Sequence, residues 1–184
     1  MSKLLALPAL LPLLLLLLLA STAVDARVIK RMQPRRALLD VAAACKTTSY
    51  PLLCQSLAVP ANSASLQDLT GTVVSAAVDK AKEAQAEVAK LMAAPGTPKT
   101  VSESLSVCRA NFESAVDSLR GAGKNLKGAA SHADLMNNLS AASAFVETCS
   151  DAFDERGLKS PVAKTAEQLG MLVSNSLDLG SALK

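Results

Sequence analysis

The residues best suited to chemistry are four cysteines, a single histidine and a few closely spaced carboxylates. Cys45 and Cys54 lie in the stretch CKTTSYPLLCQSL, on either side of a Tyr50-Pro51 step. Proline removes a backbone donor and drives the residue before it out of the helical region, so the chain is expected to turn there. The two thiols can then face each other across a short helical hairpin. Such a pair could be a structural clip, a redox couple or part of a metal site. There is no C-x-x-C spacing and His132 is the only histidine, so the zinc and thioredoxin-like readings lack ligands. No metal and no cofactor is expected.

The compartment bears on the rest. Residues 1–26 have the plan of a secretory leader: Lys3, an apolar run from Leu4 to Ala20 broken only by Pro8 and Pro12, then small residues with Ala23 or Ala26 at the cleavage position. Asp25 and Arg27 follow too soon for a stable membrane span, which takes about 20 apolar residues. The mature chain is therefore expected to be exported, with no membrane association after cleavage. Export favours disulfides, and an even number of cysteines argues against a free thiol. Four cysteines allow three pairings.

Other chemistry is poorly supported. One histidine at an expected turn is better read as solvated than as the base of a nucleophile. Asp151 and Asp154 stand one helical turn apart, where a solvated surface is the ordinary reading. There is no glycine-rich phosphate loop, and the few aromatics fall on core stripes, which excludes stacking platforms for nucleic acid. The chain is not expected to be an enzyme. Asn138-Leu139-Ser140 is a glycosylation sequon, although it falls inside an expected helix.

The net charge of +3 is unevenly spread. Residues 27–44 hold Arg27, Lys30, Arg31, Arg35 and Arg36 against Asp40, a balance of +4, whereas from Cys45 onward 13 Lys and Arg face 14 Asp and Glu. The basic character belongs to a short arm before the first cysteine. A solvated, mobile leader is the ordinary role of such an arm, and contact with an acidic polymer or membrane surface is the alternative.

About 155 residues remain after the leader, enough for one domain with a sizeable core. Ala, Leu, Ser and Val dominate and β-branched alternation is missing, so an all-α protein is expected. Leu66, Leu69, Val73, Ala77, Ala81, Ala84, Val88 and Leu91 form one helical stripe running to about Met92. APGTP at 94–98 is a stop signal, and Thr100 with Glu103 reads as a capping box opening the next helix. That helix carries Leu105, Cys108, Phe112, Val116 and Leu119 on its inner side. A turn near Ser131 and His132 leads to a third helix carrying Leu135, Leu139, Phe145, Cys149 and Phe153, with Gly157 as its terminator. Ser160-Pro161 reads as an N-cap and first-turn proline for the last helix.

Four long amphipathic helices with short connections predict an up-down-up-down four-helix bundle, preceded by a disulfide-clipped N-terminal helical hairpin. In this layout Cys45–Cys54 closes a local loop, and Cys108–Cys149 joins the second and third bundle helices. The latter bridge should contribute on the order of 3 to 4 kcal/mol by constraining the unfolded chain. The domain division is then a leader at 1–26, a basic arm and start of the hairpin at 27–44, and the hairpin plus bundle at 45–184.

Taken in order, CKTTSYPLLCQSL, CRANFESAVDSL, LSAASAFVETCSDAF and LVSNSLDL resemble the plant invertase and pectin methylesterase inhibitor family. The resemblance covers Cys45 to Leu183. It implies a helical hairpin on a four-helix bundle, the same two disulfides, secretion to the cell wall, and stoichiometric inhibition of a carbohydrate-active enzyme by blocking its cleft.

Within the family, cell-wall invertase inhibitors carry a Pro-Lys-Phe triplet before the third bundle helix, and the aligned positions here are His132, Ala133 and Asp134. LSAA before ETC-x-DAF is instead similar to pectin methylesterase inhibitors. That resemblance makes pectin methylesterase the expected partner, with acid invertase as the alternative, and Asp117, Thr148 and Asp151 the matching contact positions. Ser114 stands where an acid is common, and Asn138 where a bulky residue usually precedes LSAA. A monomer is expected. A rival from another class is a non-inhibitory secreted bundle that binds wall polysaccharide or a receptor through the basic arm.

Overall fold

Leucine, valine and alanine recurring at steps of three and four give a helix one continuous apolar stripe, and a stripe of small residues lets another helix approach closely. In the computed structural model this principle organises the chain. The structure describes residues 41–59, 61, 63–128 and 131–183. The leader, residues 1–26, and the basic arm up to residue 40 lie outside the described residues. After a helical stretch at residues 41–46 come α1 (Pro51–Ala58), α2 (Leu66–Ala93), α3 (Lys99–Lys127), α4 (His132–Asp154) and α5 (Ala163–Ser181). Among the described residues there is no strand.

The four long helices pack in a ring, α2 on α3, α3 on α4, α4 on α5 and α5 back on α2. The α3–α4 contacts run antiparallel: Cys108 is bonded to Cys149, Ser104 reaches Ala152, and Gly121 faces Asn138. Gly170 near Val146 and Gly180 near Leu139 give α4 and α5 the same opposed sense. This is the up-down-up-down bundle the stripes predict. Its centre holds Leu69, Leu105, Phe112, Leu119, Leu139, Phe153 and Leu169, all fully buried. Ala77, Ala81 and Ala84 on α2, Ala115 and Ala122 on α3 and Ala142 on α4 are also fully buried, which keeps the helix axes close.

The helix starts are set by side chains and by neighbours. Ser65 caps α2 by accepting from the Asp68 backbone N–H. Ser131 caps α4 in a reciprocal box with Asp134. The box expected at Thr100 and Glu103 does not form. α3 already begins at Lys99, after Pro98, so Thr100 is inside the helix. Glu103 is drawn instead to Arg156, whose Nη1 lies 3.2 Å from its Oε2 and also donates to the Thr100 carbonyl. α5 likewise starts later than Ser160-Pro161 suggests. Ser160 Oγ accepts from the Val162 N–H and the helix begins at Ala163, because residues 161 and 162 form a turn.

α4 ends as expected at Gly157, whose φ of +60° lets the Leu158 N–H return to the Phe153 carbonyl and the Gly157 N–H to Asp154.

Cys45 and Cys54 form a disulfide across the turn at residues 47–50, with Cα atoms 5.4 Å apart. The second clasp on this hairpin comes from α5. Asn175 is fully buried; its Oδ1 accepts from the Tyr50 N–H and its Nδ2 donates to the Tyr50 carbonyl, both at 2.9 Å. Asp178 Oδ2 accepts from the Ser49 N–H at 2.6 Å and from its hydroxyl at 2.8 Å. One amide side chain thus satisfies both backbone groups of the residue that precedes Pro51.

Replacing Asn175 by Ala removes both bonds and leaves a cavity against the turn. The expected loss is about 2 to 3 kcal/mol, read from urea unfolding with both disulfides intact. A change below about 0.5 kcal/mol, the size of an ordinary surface substitution, would show that the clamp adds nothing to stability.

Candidate functional site

The face that could recognise another molecule is built outward from the Cys108–Cys149 bridge. Both cysteines sit on the inner stripes of their helices and are fully buried, with Cα atoms 4.4 Å apart. One helical turn away, buried Ser104 donates its hydroxyl to the Ala152 carbonyl at 2.8 Å. At the other end of the seam, a Cβ on Gly121 would come 2.9 Å from Asn138 Oδ1. α3 and α4 are thereby held as one unit, and the side chains on their outer surface have fixed spacing.

Asp117, on α3, is exposed and lies 3.6 Å from Arg120 one turn on. With relative exposures of 75% and 54%, this ion pair is solvated and can be exchanged for another partner at little cost. On α4, Thr148 and Asp151 are exposed one turn apart, on either side of buried Cys149. The Thr148 hydroxyl donates to the Ala144 carbonyl at 2.8 Å, so its oxygen remains free to accept. Thr148 and Asp151 form a local pair. Asp117 stands about 13 Å from the bridge along α3, and the antiparallel sense puts it about 16 Å from Asp151 along the bundle axis. The three positions therefore mark the two ends of an extended face, not one cluster. Glu147, also exposed, adds a carboxylate on α4.

The first turn of α4 is used structurally. Asp134 completes the Ser131 cap, and His132 Nε2 lies 3.0 Å from the Gly180 carbonyl, tying the start of α4 to the end of α5. Of the three aligned positions, only Ala133 has no such tie. Asn138 is half-buried on the α3 side of α4; its Nδ2, the atom a glycan would occupy, donates to the Asp134 carbonyl at 3.1 Å.

Sequence reasoning passed over Asn175, Asp178, Ser104 and Arg156. The one available signal was that Asn175 and Ser176 interrupt the apolar stripe of α5, a pattern that asks for a buried hydrogen-bond partner. Among the described residues no group of three or more His, Cys, Asp or Glu is placed to hold a metal ion, and no helix is long and apolar enough to cross a membrane.

A clipped hairpin docked on a disulfide-tied four-helix bundle, with a rigid polar face on its central helix pair, defines a helical scaffold suited to recognition. Residues 40–179 match the sequence model of the plant invertase/pectin methylesterase inhibitor family, and the chain belongs to that family. Its members are inhibitors, not enzymes.

Two solved structures share the fold. A mutant form of a pectin methylesterase inhibitor from Arabidopsis is 22% identical, with a TM-score of 0.66 over 76% of this chain and 94% of that one. A pectin methylesterase inhibitor from Arabidopsis thaliana is 21% identical, with a TM-score of 0.60 over 79% of this chain and 96% of that one. No curated protein sequence matches the chain.

The packing of Asn138 against Gly121 has a measurable consequence. The half-buried Asn138 amide packs beside Gly121, so a glycan on Nδ2 would crowd α3, and natively folded protein from a secretory host is expected to carry little. Mass spectrometry before and after amidase treatment should give the same principal mass. Gly121→Ala sets a helix-propensity gain of about 1 kcal/mol against a contact with the movable end of the Asn138 side chain, so the expected net change in stability is within about 1 kcal/mol. A glycosylated protein of unchanged stability would show that the seam does not need this contact.

Proposed function

We propose that this chain is a secreted inhibitor of plant pectin methylesterase, acting as a stoichiometric blocker in which the α3–α4 face covers the enzyme's cleft. The observation that carries this reading is the rigid exposed surface on either side of the Cys108–Cys149 bridge, which presents Asp117, Thr148 and Asp151. Carboxylates fixed on a preorganised helix pair can meet a basic rim on an enzyme, steer its approach and exclude substrate without chemistry of their own.

The fold of the first turn of α4 supports the esterase over acid invertase, the alternative target that the family also covers. His132 ties α4 to the end of α5 and Asp134 completes the α4 cap, so the start of that helix offers no long basic or aromatic probe. The leader at 1–26 supports secretion to the cell wall, and the family match at 40–179 supports reading 45–184 as one inhibitor domain. The domain acts as a monomer in this reading, with no nucleic acid, cofactor or metal involved.

The deciding experiment titrates purified, disulfide-intact protein against a plant pectin methylesterase and an acid invertase. Inhibition of the esterase saturating at one equivalent is expected, with invertase unaffected. Asp117→Ala and Asp151→Ala should each weaken inhibition about tenfold, corresponding to about 1.4 kcal/mol per lost interfacial charge pair. Inhibition of invertase alone would move the target, and inhibition of neither enzyme at micromolar excess would overturn the reading.

A further inference from the structure

Between α2 and α3, on the side of α3 that faces away from α4, runs an open groove of about 1130 Å³. Its two walls differ in chemistry. The α3 wall presents Arg120, Lys124 and Lys127, which the helical rise spaces by about 6 Å and 4.5 Å along the axis. The α2 wall presents acceptors and hydroxyls, Asp68, Thr72, Ser75 and Asp79, with Lys82 at its far end. The floor is aliphatic, with Leu57, Ala76 and Val78 partly exposed.

Gly71 leaves the α2 wall bare at this point; a Cβ there would meet nothing within 4 Å. Arg120 and Lys82 have ion-pair partners in Asp117 and Asp79, but among the described residues Lys124 and Lys127 have none. Cations near a helix C-terminus favour its dipole, and that effect accepts them at any angle round the last turn. Both fall on the groove.

We propose that this groove binds a short acidic oligosaccharide of uronic acid units. A uronate ring carries its carboxylate on one edge and hydroxyl groups on the other, and its C–H face is apolar. That asymmetry matches a cationic wall, a hydroxyl and carboxylate wall, and an aliphatic floor. A phosphate polymer fits less well, because its charges would also lie against Asp68 and Asp79. The binding is electrostatic and solvent-exposed, so it is moderate in strength and falls with added salt. It does not use the α3–α4 face, and it stands whether or not the chain inhibits an esterase.

The test is calorimetric and NMR titration of the disulfide-intact protein with a defined-length oligogalacturonate, a fully methyl-esterified oligomer and inorganic polyphosphate. Binding of the oligogalacturonate alone is expected, with amide shifts confined to residues 67–82 and 119–127. The double substitution Lys124→Gln with Lys127→Gln should weaken it about tenfold, the sum of two exposed charge contacts.

Gly71→Gln projects into the groove without a clash at its Cβ and raises helix propensity, so the protein folds and binding should weaken at least tenfold. The same variants should leave esterase inhibition unchanged, which separates a failure here from a failure of the proposed function. No binding at millimolar oligogalacturonate, equal binding of polyphosphate, or binding that survives both variants would overturn the proposal; in the last case the site lies elsewhere on the chain.

Discussion

The bond between Cys108 and Cys149 fixes the geometry on which the central helix pair depends. It brings two helix backbones to a Cα separation of 4.4 Å, and helices this close can continue past one another only where side chains are small or absent. Ala115, Ala122 and Ala142 are fully buried nearby, and Gly121 admits the Asn138 amide. The bridge spans a sequence separation of 41 residues, so in the chain-entropy account it removes about 4 kcal/mol of freedom from the unfolded state. Its consequence for function is rigidity: residues on the outer surface of α3 and α4 keep their spacing before any partner arrives, which lowers the ordering cost of binding.

The hairpin is secured by a different means. Its own disulfide closes only a local loop, with a sequence separation of 9. That clip shapes the hairpin but cannot attach it to the bundle. Attachment comes from buried Asn175 and from Asp178 on α5, which together take up the backbone groups of Tyr50 and the Ser49 N–H. Leu52 and Val59 remain 81% and 77% exposed on the outer side of the hairpin, while Val41, Cys45, Cys54 and Ala58 on its inner side are buried in the core and add apolar burial to the clamp. A covalent clip within the hairpin, a polar clamp onto the last helix and an apolar inner face packed on the core therefore divide the work.

Features that repeat along one helix were legible in the sequence. The stripe from Leu66 to Leu91 and the stop at APGTP mark α2 to within a residue or two, and Gly157 ends α4 through its positive φ. Features that depend on a distant neighbour were not. Thr100 and Glu103 have the pattern of a capping box, but Arg156 lies in space beside Glu103 and takes its carboxylate. Asn175 finds its partner 125 residues upstream, a separation that no local pattern encodes. The candidate contact positions were named from family likeness; their spread over about 16 Å follows from the antiparallel register that the bridge imposes. The groove between α2 and α3 was invisible for a similar reason. Each wall reads alone as an ordinary solvated helix face, and only their juxtaposition separates cations from hydroxyls.

The proposed function sets the α3–α4 surface against the enzyme. Carboxylate footprinting of the complex with pectin methylesterase tests it most directly, by comparing the chemical labelling of each Asp and Glu in free and bound protein. Asp117, Glu147 and Asp151 should lose labelling on binding, while exposed Asp79 and Glu83 on α2 and Glu167 on α5 label as before. Protection of the α2 or α5 carboxylates with Asp117 and Asp151 unchanged would contradict it.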